Sequence, residues 1–217
     1  MRHIVIVMQN GVGLFEEACA LIASGGSGET LVRGAALMRQ AADAGHAGAA
    51  NNFGTLLHTG RGVRQDMMAA RAYYMQAAEA GLPVAIFNLG FMVLNGLGGA
   101  RDPSRARSLF ELAAQRGDLD AITHFGAMLM TGTGGTQDVA AGRDWWGRGA
   151  ALGDSRCAFN LGIANAGGHG QEIDFVEAWR WFKQAERLGN PGAAHELERL
   201  ATVMTDEERR QAHRRAS

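Results

Sequence analysis

The chain has 217 residues and 47% apolar content, enough to build a substantial core, which excludes a disordered tail. Its 21 basic and 22 acidic side chains leave a formal charge of −1, so no global field points to nucleic acid or a membrane surface, and bulk polyanion binding is disfavoured. Glycine stands at 31 against 3 prolines, where ordinary glycine usage is roughly 7%; this suits turns and close helix contacts repeated many times, not collagen or a flexible linker.

In chain order, the run Ile4-Val5-Ile6-Val7-Met8 is shorter than a signal-peptide core of roughly 7–15 residues. No apolar stretch reaches the ~20 residues that span a bilayer, so the chain is expected to be soluble and cytoplasmic. Residues 1–10 receive no assignment. The opening "IVIVMQNGVGLFEEA" imitates a strand, a Gly-x-Gly turn and a helix, the outline of a dinucleotide site. Its third glycine position holds Glu16, an anion where a pyrophosphate would sit, and the text that follows is helical repeat.

From residue 11 the sequence repeats. The strings "AADAG", "AAEAG", "AAQRG", "GAALG" and "AERLG" end on Gly45, Gly81, Gly117, Gly153 and Gly189, each 36 residues after the last. Gly54, Gly90, Gly126 and Gly162 keep the same interval, as do Gly60 and Gly62 with their successors, and Asp66, Asp102, Asp138 and Asp174. Each period reads as two amphipathic helices, A and B, joined by a glycine-rich turn. The aspartates are expected to be N-caps of helix B, their carboxylates accepting from free N–H groups of its first turn; Pro103 directly after Asp102 fits a first helical position.

The expected organisation is an N-terminal segment 1–10, a solenoid over 11–204 with units near 11–46, 47–82, 83–118, 119–154 and 155–190 followed by a capping helix, and a polar capping helix over 205–217. The first unit is eroded, with Ala18 in place of the helix-A glycine and Thr30 in place of the capping aspartate. Thr205 and Glu208 form a capping-box pattern that opens the last helix. Along helix B, Tyr73, Leu109, Trp145 and Trp181 are expected to form a core aromatic column, with Trp179 packing under the C-terminal cap. Arg71, Arg107 and Arg143 are expected to form a solvated flank.

The string "NNFGTLLHTGRGVRQDMMAARAYYMQAAEAGL", with "EAWRWFKQAERLGN" in the fifth unit, resembles the SEL-one-like repeat family, a relative of tetratricopeptide helical repeats. The resemblance implies an all-α, right-handed α/α solenoid that generally serves as a protein-interaction scaffold. It departs at one layer: the aromatic expected three residues after the helix-A glycine is Leu57, Val93, Leu129 and Asn165, which implies looser packing, above all in the fifth unit. Unlike cysteine-rich relatives with a disulfide in each repeat, this chain has only Cys19 and Cys157, nearly four units apart, and both are expected to be buried, reduced thiols.

No chemical motif stands up. His195 and Glu196 lack the second histidine of a zinc-protease helix, because Arg199 occupies its place. The other histidines do not cluster, and neither a nucleophile elbow nor a cysteine–histidine signature occurs. No metal, cofactor or nucleic acid is expected, and the protein is not expected to be an enzyme. The candidate partner site is a column two residues before the helix-A glycine, Asn52, Asn88, His124 and Asn160, with Thr55, Phe91, Asp120 and Arg156 near it. An amide that both donates and accepts suits an extended peptide backbone; it equally suits neighbouring backbone, and the sequence leaves both roles open. The leading expectation is a scaffold that binds an unidentified protein or peptide on the concave helix-A surface. The alternatives are a hydrolase, as attributed to some cysteine-rich relatives, and a self-assembling structural protein in which residues 1–10 dock onto another copy.

Overall fold

The computed structural model describes the backbone of residues 2–25 and 28–216, and the side chains of residues 11–25, 28–212 and Arg214. All regular structure among the described residues is helical. Residues Met1–Asp118 and Leu119–Ser217 form two compact units. The first holds α1 (Arg2–Ala23), α2 (Gly28–Asp43), α3 (Ala47–Thr59), α4 (Met67–Glu79), α5 (Pro83–Asn95) and α6 (Pro103–Gln115). The second holds α7 (Leu119–Thr131), α8 (Val139–Ala151), α9 (Ser155–Ala166), α10 (Phe175–Arg187), α11 (Ala193–Val203) and α12 (Asp206–Ala216).

Helices pair in sequence order as A–B hairpins: α1 with α2, α3 with α4 and α5 with α6 in the first unit, and α7 with α8 and α9 with α10 in the second. Each hairpin packs on the next within its unit, α2 on α3, α4 on α5 and α8 on α9. The molecule is an all-α solenoid of helical hairpins. Stacking is required because a single hairpin cannot bury its apolar face alone.

The helix-B aspartates are N-caps. The carboxylates of Asp66, Asp102, Asp138 and Asp174 accept from the backbone N–H of Ala69, Arg105, Ala141 and Glu177 at 2.9–3.0 Å. Helix A of each of these hairpins closes on the same turn: the N–H groups of Asp66, Asp102, Asp138 and Asp174 donate back to the carbonyls of Leu57, Val93, Leu129 and Asn165. The residue before the aspartate adds a side-chain latch in three of them, Gln65 to the His58 carbonyl, Arg101 to that of Leu94 and Gln137 to that of Met130. Thr30 differs from its expected role: α2 begins at Gly28, so Thr30 lies inside the first turn and not before it.

The two turn glycines serve different ends. Gly96 ends α5 at φ 68°, donating its N–H to the Met92 carbonyl, a left-handed C-cap. Gly98, at φ 67°, brings the turn against the start of α4 so closely that a Cβ there would collide with the Met67 carbonyl.

The aromatic core is shifted by one residue from the sequence expectation. Tyr74, Phe110, Trp146 and Phe182 are the buried column, whereas Tyr73, Leu109, Trp145 and Trp181 are half-exposed beside it. Adjacent positions on a helix lie about 100° apart, and the helix-A glycine decides which is inside. The Phe110 ring lies where a Gly90 side chain would be, 2.9 Å from the site of its Cβ, and Phe182 fills the same space over Gly162. Trp145 instead stands edge-on to Phe125 with the Arg148 guanidinium 4.7 Å above it.

The layer containing Asn165 is polar, not loose. Asn165 is 1% exposed; its amide donates to the Leu161 carbonyl (2.7 Å) and accepts from Arg143 (3.0 Å) and Gln171 (2.5 Å). Arg143 is therefore no solvated flank, and burial lowers its pKa. Arg71 likewise reaches the next turn, donating to the Ala100 carbonyl at 3.4 Å.

At the C-terminus, Trp179 is buried with Leu197, Leu200, Met204 and Ala212, so the last two helices cover the end of the stack as expected. The Thr205 and Glu208 capping box is formed: Thr205 N–H donates to the Glu208 carboxylate (2.7 Å) and Glu208 N–H to the Thr205 hydroxyl (3.3 Å).

Candidate functional site

Helix A presents one face to the core and one outward. On α3 and α5 the outward stripe consists of residues three and four apart, Asn52, Thr55 and Thr59 on α3, and Val84, Asn88, Phe91 and Asn95 on α5. The fixed 36-residue period brings register mates onto neighbouring helices, and the structure joins the first-unit candidates through a residue that the sequence reading missed. Asn51, buried on α3, accepts on its side-chain oxygen from the Asn88 side-chain amide at 2.9 Å and donates from its own side-chain amide to the Asn52 side-chain oxygen Oδ1 at 3.2 Å. The signal was present in the adjacent pair Asn51-Asn52, of which only one member can face outward. Thr55 donates to the Asn51 carbonyl (3.2 Å) and meets the Tyr74 hydroxyl (3.0 Å), tying the stripe to helix B. Phe91 lies one turn past Asn88 and is 38% exposed. Asn52 and Thr55 also line a cleft of about 370 Å³ with Cys19, Ile22 and Ala23 of α1 and Arg61 of the following turn.

In the second unit Asp120 and Arg156, register mates on α7 and α9, form an ion pair at 2.5 Å. Arg156 also holds Asp154 at 2.6 Å. His124 is one turn beyond Asp120, its Nδ1 2.8 Å from the Asp120 carbonyl oxygen, and Asn160 is half-buried one turn beyond Arg156.

Asp154 is a buried N-cap of α9 that the sequence reading did not single out; its carboxylate accepts from the backbone N–H of Arg156 (2.8 Å) and Cys157 (3.0 Å). Burial pushes its pKa up, but the Arg156 guanidinium and the helix N–H groups outweigh this, so the carboxyl titrates below its ordinary range. A group depressed in the folded state stabilises fully above its unfolded pKa, about 3.9 for aspartate, and loses that contribution as pH falls through the folded value. The melting temperature of wild type is thus expected to exceed that of Asp154→Asn at pH 7, and the gap is expected to narrow below about pH 4. A gap unchanged down to pH 3 contradicts the assignment.

His46 holds the matching position at the start of α3: its Nδ1 accepts from the Ala49 N–H (3.0 Å) and its ring stacks on Phe15 (4.3 Å between centroids). This imidazole cap was also missed, because histidine is not among the preferred N-caps.

Both cysteines are free; Cys157 is buried, while Cys19 is half-buried, more open than expected. Burial pushes the Cys157 thiol up to about 11, and its sulfur meets the Thr123 hydroxyl at 3.2 Å. A neutral, enclosed thiol is a poor nucleophile. Iodoacetamide at pH 7.5 is expected to leave Cys157 unmodified in the folded protein and to alkylate it in urea; rapid labelling of the native protein contradicts this burial. No group of histidine, cysteine, aspartate and glutamate able to hold a metal occurs among the described residues, and none of their helices is long and apolar enough to cross a membrane.

A stack of helical hairpins with a 36-residue period, capping aspartates and paired turn glycines defines a class of helical repeat proteins. The Sel1 repeat profile matches residues 31–46, 47–82, 83–118, 120–154 and 155–190, and the chain belongs to the Sel1 repeat family. Members of this family generally act as protein-interaction scaffolds, and the fold is typically noncatalytic. No curated protein matches the sequence. Among solved structures, a Sel1 repeat protein from Oxalobacter formigenes is 25% identical, with 85% of this chain and 76% of that chain covered at a TM-score of 0.78. A protective antigen of uropathogenic Escherichia coli with an SLR fold is 21% identical over 99% of this chain and 54% of that one, at a TM-score of 0.73. This chain thus spans about half of that antigen's length. An immunity protein from Pseudomonas aeruginosa is 20% identical over 85% and 68%, at a TM-score of 0.57.

Proposed function

We propose that the protein is a noncatalytic cytoplasmic scaffold that takes a peptide or protein partner on its helix-A faces. In the first unit the contact residues are Asn52, Thr55, Asn88 and Phe91; in the second they are Asp120, His124, Arg156 and Asn160. The observation that carries this reading is the outward stripe of α3 and α5, where an exposed aromatic stands among amides and hydroxyls beside an open cleft. Large exposed apolar side chains rimmed by polar groups suit a protein interface. Free thiols suit a reducing compartment.

Affinity capture from the source cells tests it, with wild-type bait set against Asn88→Ala/Phe91→Ala and His124→Ala/Asn160→Ala baits. A partner recovered by wild type and lost with either double variant, at unchanged melting temperature, supports the proposal. Equal recovery by all three removes the helix-A faces from the account. Turnover abolished by a single one of these substitutions would instead establish an enzyme, because a scaffold has no step for that residue to accelerate.

A further inference from the structure

The turn after α3 fixes a cation at the edge of a cleft. Arg61 stands between Gly60 and Gly62, both left-handed at φ 72° and 73°, and a Cβ at Gly62 would collide with the Leu31 carbonyl, so the turn is seated against the first turns of α2. From there the Arg61 guanidinium reaches the Ile22 carbonyl at the end of α1 (3.3 Å) and lines the cleft of about 370 Å³ beside α3. That bond occupies one of the five N–H groups of a guanidinium and supplies no counter-charge. Glu17 of α1 pairs with Arg33 instead, and among the described residues no carboxylate pairs with Arg61.

The rest of the cleft is apolar with one polar donor. Met38 and Leu56 line it at 1% and 7% exposure, together with half-buried Ile22. Cys19 lines it as well, and burial pushes that thiol up, so it adds no negative charge at neutral pH. The Asn52 oxygen is taken by Asn51, which leaves its NH2 as the donor. The volume falls at the small end of the roughly 300–1,000 Å³ range of small-molecule sites.

The cleft belongs to the repeat, but its charge does not. Three periods further on, Met130, Trp146 and His169 stand in register with Ile22, Met38 and Arg61 and line a cleft of about 430 Å³ in the second unit. The column that begins at Arg61 continues as Leu97, Thr133 and His169, so closing this turn does not require a guanidinium.

We infer that the first-unit cleft binds a free organic acid, its carboxylate held by Arg61 with a further N–H from Asn52, and its short apolar body lying against Ile22, Met38 and Leu56. A charge-assisted, two-pronged contact suits a carboxylate and no neutral headgroup. The site needs no macromolecular partner, so its test and the capture experiment above stand or fall separately.

Hexanoate and 1-hexanol, as matched probes, are titrated calorimetrically into the full chain at about 50 mM salt, and the same additions are followed by the signals of [methyl-13C]methionine. Saturable hexanoate binding with a Kd of about 1 mM or tighter is expected, with hexanol weaker by about tenfold or more. The Met38 methyl signal is expected to move and that of Met130, in the second-unit cleft, to stay. Arg61→Gln, whose amide can still donate to the Ile22 carbonyl, is expected to weaken hexanoate about tenfold or more and to leave hexanol unchanged, while Arg64→Gln changes neither. Equal affinity for acid and alcohol, hexanoate binding indifferent to Arg61→Gln, a Met130 signal that moves while Met38 stays, or no saturation by about 10 mM overturns the inference. N-acetyl-Leu-Leu with a free carboxylate, set against its C-terminal amide, separates the sources: a free-ended peptide more than about tenfold tighter than hexanoate makes a chain terminus the ligand and overturns the free acid. The methionine signals and the comparison of acid with alcohol need no variant to fold.

Discussion

Truncating Phe110 to alanine is expected to destabilise the first unit by about 3–5 kcal/mol, the range for a buried aromatic whose neighbours cannot collapse into the space left behind. The ring is fully buried, lies over Gly90 and is tilted against Phe87 at 5.5 Å between centroids. Gly90 has no side chain to move inward, and both helix backbones are held by their own hydrogen bonds, so the cavity stays open. Urea unfolding followed by far-UV circular dichroism measures the change through the midpoint at constant slope. Leu109→Ala, one position along the same helix but half-exposed, is the internal comparison. Equal losses at the two positions, or a Phe110→Ala loss under about 1 kcal/mol, contradict the assignment of the core column.

Gly98→Ala is expected to cost about 2–4 kcal/mol, from left-handed backbone strain together with overpacking. The colliding group is the Met67 carbonyl at the beginning of α4, which is backbone and cannot swing aside. Gly96→Ala shares the left-handed φ, yet its new Cβ would meet the side-chain Cβ of Arg101 at 3.2 Å, which a small shift relieves. The Gly96 variant is therefore expected to lose only about 1–2 kcal/mol. Melting temperatures of the two proteins decide the matter: Gly98→Ala melts lower if the second turn glycine exists for close approach, and equal melting temperatures reduce its role to conformation alone.

These substitutions mark where the sequence was legible. Periodicity is a property of the text, so the hairpins, the capping aspartates and the polar end cap could be read from it. The choice between neighbours was harder. Tyr73 and Tyr74, or Trp145 and Trp146, are equally aromatic, and which of each pair enters the core depends on the rotation of helix B over the helix-A glycine. The Arg143 and Asn165 pair shows a second kind of gap. An asparagine in an aromatic's place reads as a loss of packing, but the side chain is satisfied by an arginine 22 residues earlier and a glutamine 6 residues later, partners no local pattern announces. At the candidate site the column of Asn52 and Asn88 was visible through its spacing, while the residue that orients it, Asn51, looked like a duplicate. Its role emerges only when α3 and α5 are side by side. Asp154 and His46 escaped because the helix-A cap position varies in residue type from one repeat to the next, so no column of like residues draws the eye.

Perturbation of backbone amide signals on adding the partner recovered by affinity capture to the full, isotopically labelled chain tests the central claim most directly. The account predicts shifts confined, within the first unit, to α3 and α5, including the side-chain NH2 signals of Asn52 and Asn88, with α4 and α6 unmoved. Shifts centred on helix B, or a bound partner that leaves both asparagine side chains unchanged, would contradict it.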